Sequence, residues 1–154
     1  QLPLQLQQIN LTELISNVQE KLAPLPGADI RLQLPADASL YGDGHYLERA
    51  LQNLLVNAKK YARSQICLSL NRHQQYWQIS IDDDGPGIAA AQRDDIFKPF
   101  FRVEASRNKH SGGFGLGLAI VQQIVLEHQG KLLLSNRPQG GCCVRISLPL
   151  EVNA

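Results

Sequence analysis

Two short runs, Ile66, Leu68, Leu70 and then Trp77, Ile79, Ile81, place an apolar residue at every second position and are separated by a polar turn at His73 to Gln75. Period two puts all six side chains on one face of a hairpin, and that face needs a cover. The cover stands immediately upstream. From Asp43 to about Ala62, the residues Leu47, Ala50, Leu51, Leu54, Leu55, Ala58 and Tyr61 recur at three and four, as the buried stripe of a helix does.

The remaining segments supply more of both kinds of element. Residues 1–9, glutamine-rich with a proline and no period, read as the tail of a linker, so that the domain occupies 10–154. Asn10 is placed to cap a helix over Leu11 to Leu22, which Pro24 and Pro26 end. Ile30, Leu32 and Leu34 alternate as a strand closed by Pro35, and the long helix is expected next. Beyond the hairpin, a short helix is expected around Gln92 to Phe97, then a polar stretch, RVEASRNKHSGG, expected to be mobile without ligand. Leu116 to His128 forms another amphipathic helix ended by Gly130. Leu132 and Leu134, then Cys143 or Val144 to Leu148, make two last strands joined by NRPQGG.

With 154 residues, 44% of them apolar, the chain can bury the core of one domain without disulfides or metal. A net charge of +1 and 19% charged residues give no electrostatic reason for a nucleic-acid or anionic-membrane partner. No run has the length of a transmembrane helix or a signal peptide. The absence of Met, even at position 1, suggests excision from a longer polypeptide. Cys67, Cys142 and Cys143 are odd in number, lack metal spacing and are expected to be small buried hydrophobes. His45, His73, His110 and His128 stand in unrelated contexts, and neither a metal site nor catalysis is expected of them.

Three places carry polar chemistry. Asn53, Asn57 and Lys60 share one stripe of the long helix, where Asn57 offers an amide oxygen suited to Mg²⁺; alone, the two asparagines equally mark a solvated helix edge. The strand ending at Ile81 runs into Asp82 to Gly87, DDDGPG, which brings carboxylates and bare backbone together but also reads as an ordinary acidic turn. Gly113, Gly115 and Gly117, in GFGLGL at the mouth of a helix, let backbone amides approach phosphate, a weak signal alone. Neither a Walker loop nor a Rossmann fingerprint is present.

The conjunction and order of these features resemble the GHKL ATP-binding superfamily and, within it, the catalytic domains of bacterial two-component sensor histidine kinases. NLLVNAKKY (53–61) resembles the N box, DDGPG (83–87) the G1 box, FKPFFR (97–102) the F box and GFGLGL (113–118) the G2 box. The resemblance covers Asn10 to Leu150. The closing GGCCVRISLP resembles the last glycine box, with Cys142 and Val144 as departures that touch packing. Among branches the chain looks most like kinases that signal to OmpR-like regulators, of the RstB-like type.

The resemblance implies a Bergerat-type fold, a two-layer α/β sandwich of about three helices on a mixed sheet of about five strands. It implies that Asp83 would accept from the adenine amino group, with Gly85 and Gly87 beside it and Tyr61 and Ile88 bordering the base. Asn57 would ligate Mg²⁺, and Asn53 and Lys60 would sit near the phosphates. Gly113, Gly115, Leu116, Gly117 and Leu118 would line the nucleotide, and Arg102 and Arg107 would neutralise β and γ phosphate charge as a lid closes; solvated loop arginines are the plainer alternative for that pair.

Relatives in the superfamily hydrolyse ATP, usually with a Glu at the helical position that Asn53 occupies. An amide does not activate water as a carboxylate does, so Asn53 favours a kinase. The phosphoacceptor histidine of the family lies in a motif like SHELRTP, which surrounds none of the four histidines. The expected partners are the dimerisation helices that carry it and a cognate response regulator. The expected setting is the cytoplasmic part of a bacterial inner-membrane sensor, monomeric alone and homodimeric in the parent, binding Mg·ATP with little autophosphorylation by itself. An anti-sigma-factor-type serine kinase and a noncatalytic nucleotide-sensing module stay open as alternatives.

Overall fold

The structure is a computed structural model that describes residues 2–87 and 113–152, with backbone alone over 113–116. Its elements run β1 (Gln7–Asn10), α1 (Leu11–Leu22), β2 (Asp29–Gln33), β3 (Ser39–Gly42), α2 (Gly44–Tyr61), β4 (Gln65–His73), β5 (Tyr76–Asp83), α3 (Gly113–Glu127), β6 (Lys131–Asn136) and β7 (Cys142–Pro149). Five strands form one mixed sheet in the order β2-β4-β5-β7-β6, in which β2 runs parallel to β4 and every other pair is antiparallel. The expected short helix near Gln92, the polar stretch after it and the F box fall outside the described residues.

Each helix turns an apolar stripe onto the sheet. Leu11, Ile15, Val18 and Leu22 of α1, Leu47, Leu51, Leu54, Leu55 and Ala58 of α2, and Leu118, Val121, Ile124 and Val125 of α3 are buried in one core with Ile66, Leu68, Leu70, Ile79, Ile81, Ile146 and Leu148 of the strands. The opposite sheet face carries Gln33, Ser69, Ser80, Arg145 and, on the edge strand, the exposed Leu133 in one cross-strand row, a mainly polar surface that fits two layers rather than three.

The ends of α1 and α2 are set by side chains. Asn10 Oδ1 accepts from Thr12 N at 3.0 Å and Glu13 N at 3.4 Å, and also from Ala38 N at 3.4 Å, so the cap joins α1 to the segment before β3. Asp43 caps α2 by accepting from Tyr46 N at 3.1 Å and takes Gln5 N at 2.7 Å on its other oxygen.

Two elements differ from the sequence expectation. Gln7–Asn10 lies in the stretch expected to be linker, yet it pairs antiparallel with Ser39–Gly42 as a separate two-stranded sheet. That strand β3 intervenes between β2 and α2, where the helix was expected directly. Both strands are four residues long. Trp77 Nε1 donates to Ser39 O at 2.9 Å and Tyr41 N to Leu150 O at 3.0 Å, which fastens the small sheet to the large one.

Candidate functional site

Strand register separates the three consecutive aspartates. Trp77, Ile79 and Ile81 point into the core, and Asp83 continues that row between Ile66 of β4 and Cys142 of β7. Its Oδ1 accepts Gly85 N at 2.8 Å, and the Cys142 backbone supplies a further hydrogen bond. Burial pushes the carboxyl above its ordinary value of 3.8, against the lowering effect of those backbone bonds. Arg137, in the β6–β7 turn, donates from Nη1 to the Asp83 carbonyl at 2.9 Å.

Asp82 takes the opposite face, in the row between Cys67 and Cys143. Burial, with the Asp82 carboxylate beside it, pushes the Cys143 thiol up to about 11, which keeps it protonated and unreactive. Cys142 is buried as expected, whereas Cys67 and Cys143 are only half-buried because they belong to this outer row.

Asp84, a flanking residue by sequence, reaches back to the corner between α2 and β4. Its Oδ1 accepts from Arg63 N at 2.8 Å, Ser64 N at 2.9 Å and Gln65 N at 3.1 Å, while Oδ2 accepts from Ser64 Oγ at 2.6 Å and Ser64 N at 3.1 Å. The Ser64 hydroxyl and then these amides hold the carboxyl well below the usual aspartate range.

The C-terminal half of α2 is where the glycine segments meet. Gly85 passes so close to the end of α2 that a Cβ there would collide with the Tyr61 carbonyl oxygen. Gly87 takes φ +77°, a backbone state that favours glycine, and a Cβ there would stand 2.8 Å from Asn136 Oδ1. Earlier on α2, Asn53 and Asn57 face Gly117 of α3: a Cβ at position 117 would lie 3.7 Å from Asn57 Nδ2 and 3.9 Å from Asn53 Cβ. Asn53 and Asn57 are half-buried, Tyr61 likewise, and Lys60 is exposed at the end of the helix.

Two features of the expected site differ, and a third lies outside the described residues. Helix α3 begins at Gly113, about a turn before the expected start at Leu116, so Gly113 and Gly115 lie in its first turn instead of a preceding loop. Leu118 is a core side chain, 4% exposed. Ile88, Arg102 and Arg107 fall outside the described residues.

The roles of Lys59, Arg137 and Asp84 had no signal in the sequence. Lys59 is 6% exposed and donates from Nζ to the carbonyls of Leu25 at 3.2 Å and Ala28 at 3.1 Å, which pins the α1–β2 loop onto α2. A Ser-Gln pair following a helix, three residues past Tyr61, gives no hint that a carboxylate twenty positions later will bind its amides.

The family model for histidine kinase-, DNA gyrase B-, and HSP90-like ATPases matches residues 42–152. Sensor histidine kinase CpxA of Escherichia coli (strain K12) is 40% identical over 116 residues, covering 75% of this chain and 25% of its own length. Sensor protein RstB of the same organism is 41% identical over 117 residues, covering 71% and 27%. The chain thus spans about a quarter of the length of these curated relatives. Among solved structures, the mycobacterial sensor histidine kinase MprB superposes with a TM-score of 0.81 at 30% identity, covering 97% of this chain and 100% of that one. The histidine kinase domain of the E. coli osmosensor EnvZ gives 0.73 at 33% identity, covering 96% and 91%. This chain therefore belongs to the histidine kinase-, DNA gyrase B-, and HSP90-like ATPase family, as an ATP-binding catalytic domain of the sensor histidine kinase kind.

Proposed function

We propose that this domain binds Mg·ATP along the C-terminal half of α2 and passes the γ-phosphoryl to a histidine carried by dimerisation helices, for relay to a response regulator. The observation that carries the reading is the convergence on α2 of Asn53 and Asn57 with Gly117, and of Tyr61 with Gly85 beside the Asp83 carboxylate. In this reading Asp83 recognises the adenine amino group, with Gly85, Gly87, Tyr61 and Ile88 around the base. Asn53 and Lys60 contact the phosphates, and the α3 segment from Gly113 to Gly117 lies over them. Arg102 and Arg107 are assigned to charge neutralisation on sequence alone.

Asn57 suits Mg²⁺ as a single amide-oxygen donor at the α2–α3 junction. Mg²⁺ usually takes one or two protein ligands, so an ion held there would take its other ligands from phosphate and water. Bound there, Mg²⁺ supplies charge neutralisation on the phosphates. His128 does not serve as phosphoacceptor: it is fully buried, with Nε2 accepting from Asp43 N at 3.0 Å and Nδ1 donating to Ile124 O at 2.8 Å. We place the domain on the cytoplasmic side of a bacterial inner-membrane sensor that works as a homodimer; no described helix is long and apolar enough to cross a membrane.

The test mixes the domain with a fragment bearing the acceptor helices and follows labelled phosphate from ATP with Mg²⁺. Acid-labile, base-stable phosphohistidine is expected. Phosphoserine would point to the anti-sigma-factor type of kinase, and ATP binding with no transfer to a noncatalytic nucleotide sensor.

A further inference from the structure

We propose that Asp84 is the positioning residue of the nucleotide site, locking the turn that presents Asp83 to the corner that follows α2. The proposal rests on the nucleotide reading of Asp83. It stands on geometry that places one carboxylate between two parts of the site.

Helix α2 stops at Tyr61, and Ala62 turns the chain into extended backbone at φ −64° and ψ 143°. The next three amides, of Arg63, Ser64 and Gln65, have no place in the helix ladder. All three converge on the carboxylate of Asp84, with the Ser64 hydroxyl as a fourth donor. Asp84 N in turn donates to Gln65 O at 3.3 Å, so the main chains are joined in both directions. On one side of Asp84 in sequence stands Asp83, whose Oδ1 is held by Gly85 N; on the other, Gly85 lies against the Tyr61 carbonyl. The clamp thus fixes the distance between the base-recognition carboxylate and the end of the helix that carries Lys60 and Tyr61.

Charge makes the clamp effective. Hydrogen bonds from neutral donors to an ionised carboxylate are roughly twice as strong as neutral pairs. The bonds are exposed, so water replaces them when the side chain is removed. The fold then survives while the alignment of Asp83 with α2 loosens, a distinction that separates positioning from plain structural support.

The experiment measures Mg·ADP, Mg·GDP and inorganic pyrophosphate binding by calorimetry, and thermal unfolding, for the parent, Asp84→Ala, Asp84→Asn and Asp83→Asn. Asp84→Ala is expected to weaken ADP at least tenfold and to narrow the ADP-over-GDP preference, with pyrophosphate binding unchanged and the folded circular dichroism spectrum retained. Asp84→Asn keeps one acceptor oxygen for the amides and is expected to recover ADP affinity to within about threefold of the parent, a margin of well under one decade. ADP affinity unchanged in Asp84→Ala, or ADP and pyrophosphate weakened equally, overturns the positioning role. Parent and Asp83→Asn binding ADP alike overturns the nucleotide reading instead, and a parent that does not bind ADP overturns both. Should Asp84→Ala fail to fold, Asp84→Ser and Ser64→Ala decide: a narrowed ADP-over-GDP preference in either supports the role, and an unchanged preference in both rejects it.

Discussion

At the scale of single residues, the run of three aspartates shows how backbone register converts equal side chains into unequal roles. Asp82 faces the outer surface of the sheet, Asp83 faces the helices and Asp84 turns back to the corner at residues 63–65. The Asp83 carboxyl is pushed upward by burial, so its charge works against the unliganded fold as pH rises through and above the aspartate range. Asp83→Asn is therefore expected to leave the melting temperature of the unliganded domain equal or higher. Ligand separates the two proteins. ADP at a thousandfold excess over the parent's Kd stabilises the parent by about 4 kcal/mol and is expected to leave the variant unmoved in a thermal-shift titration. A variant that ADP stabilises as fully as the parent would remove Asp83 from the site. The inward position of Asp83 was legible in the sequence, because the alternation through Ile79 and Ile81 carries on to position 83, the same residue that the DxGxG resemblance singles out. The partners of Asp84 and the reach of Arg137 were not, since both depend on how distant turns fall once the strands are paired.

At the scale of elements, long stripes were legible and short or strained pieces were not. Helix α2 declares itself through seven apolar positions at helical spacing, and all but Tyr61 are buried. Strands β1 and β3 give no such signal: four residues cannot establish a period, and only Leu40 and Gly42 of their residues are buried. The start of α3 misled for another reason. Glycine costs about 1 kcal/mol against alanine in a helix interior, which favours reading the segment before Leu116 as loop, but the helix runs back to Gly113, and Gly117 within it faces Asn53 and Asn57 of α2. The far end of α3 is tied to the start of α2 through His128 and the Asp43 amide, and Glu127 Oε2 takes Leu2 N at 3.4 Å. Burial holds His128 below its ordinary value of 6.5, although its bond to the Ile124 carbonyl and the nearby Asp43 and Glu127 pull the other way. The neutral ring is what the fold binds, so this contribution is complete above pH 6.5 and diminishes as pH falls below it. Urea midpoints are expected to drop between pH 7.5 and pH 5.5 by more in the parent than in His128→Gln. Equal drops would show that His128 is not the titrating group.

At the scale of the whole molecule, helices on one face and polar residues on the other leave the site along the inter-layer edge, where α2, α3 and the end of β5 meet. The two-layer plan followed from alternation in the strands and stripes in the helices, while the order β2-β4-β5-β7-β6 is a tertiary result that local periodicity does not encode. Adjacent lysines on α2 also differ because of that plan: the Lys59 amine is enclosed under the α1–β2 loop and bound to two carbonyls, whereas Lys60 is exposed. Acylation of the native protein, read by peptide mass spectrometry, should therefore mark Lys60 promptly and Lys59 only when the loop lifts. Equal rates at the two positions would contradict the enclosure. One helix thus carries a chemical clock with its own reference beside it, in which the slower amine times the lifting of the α1–β2 loop and the faster one reports the reagent.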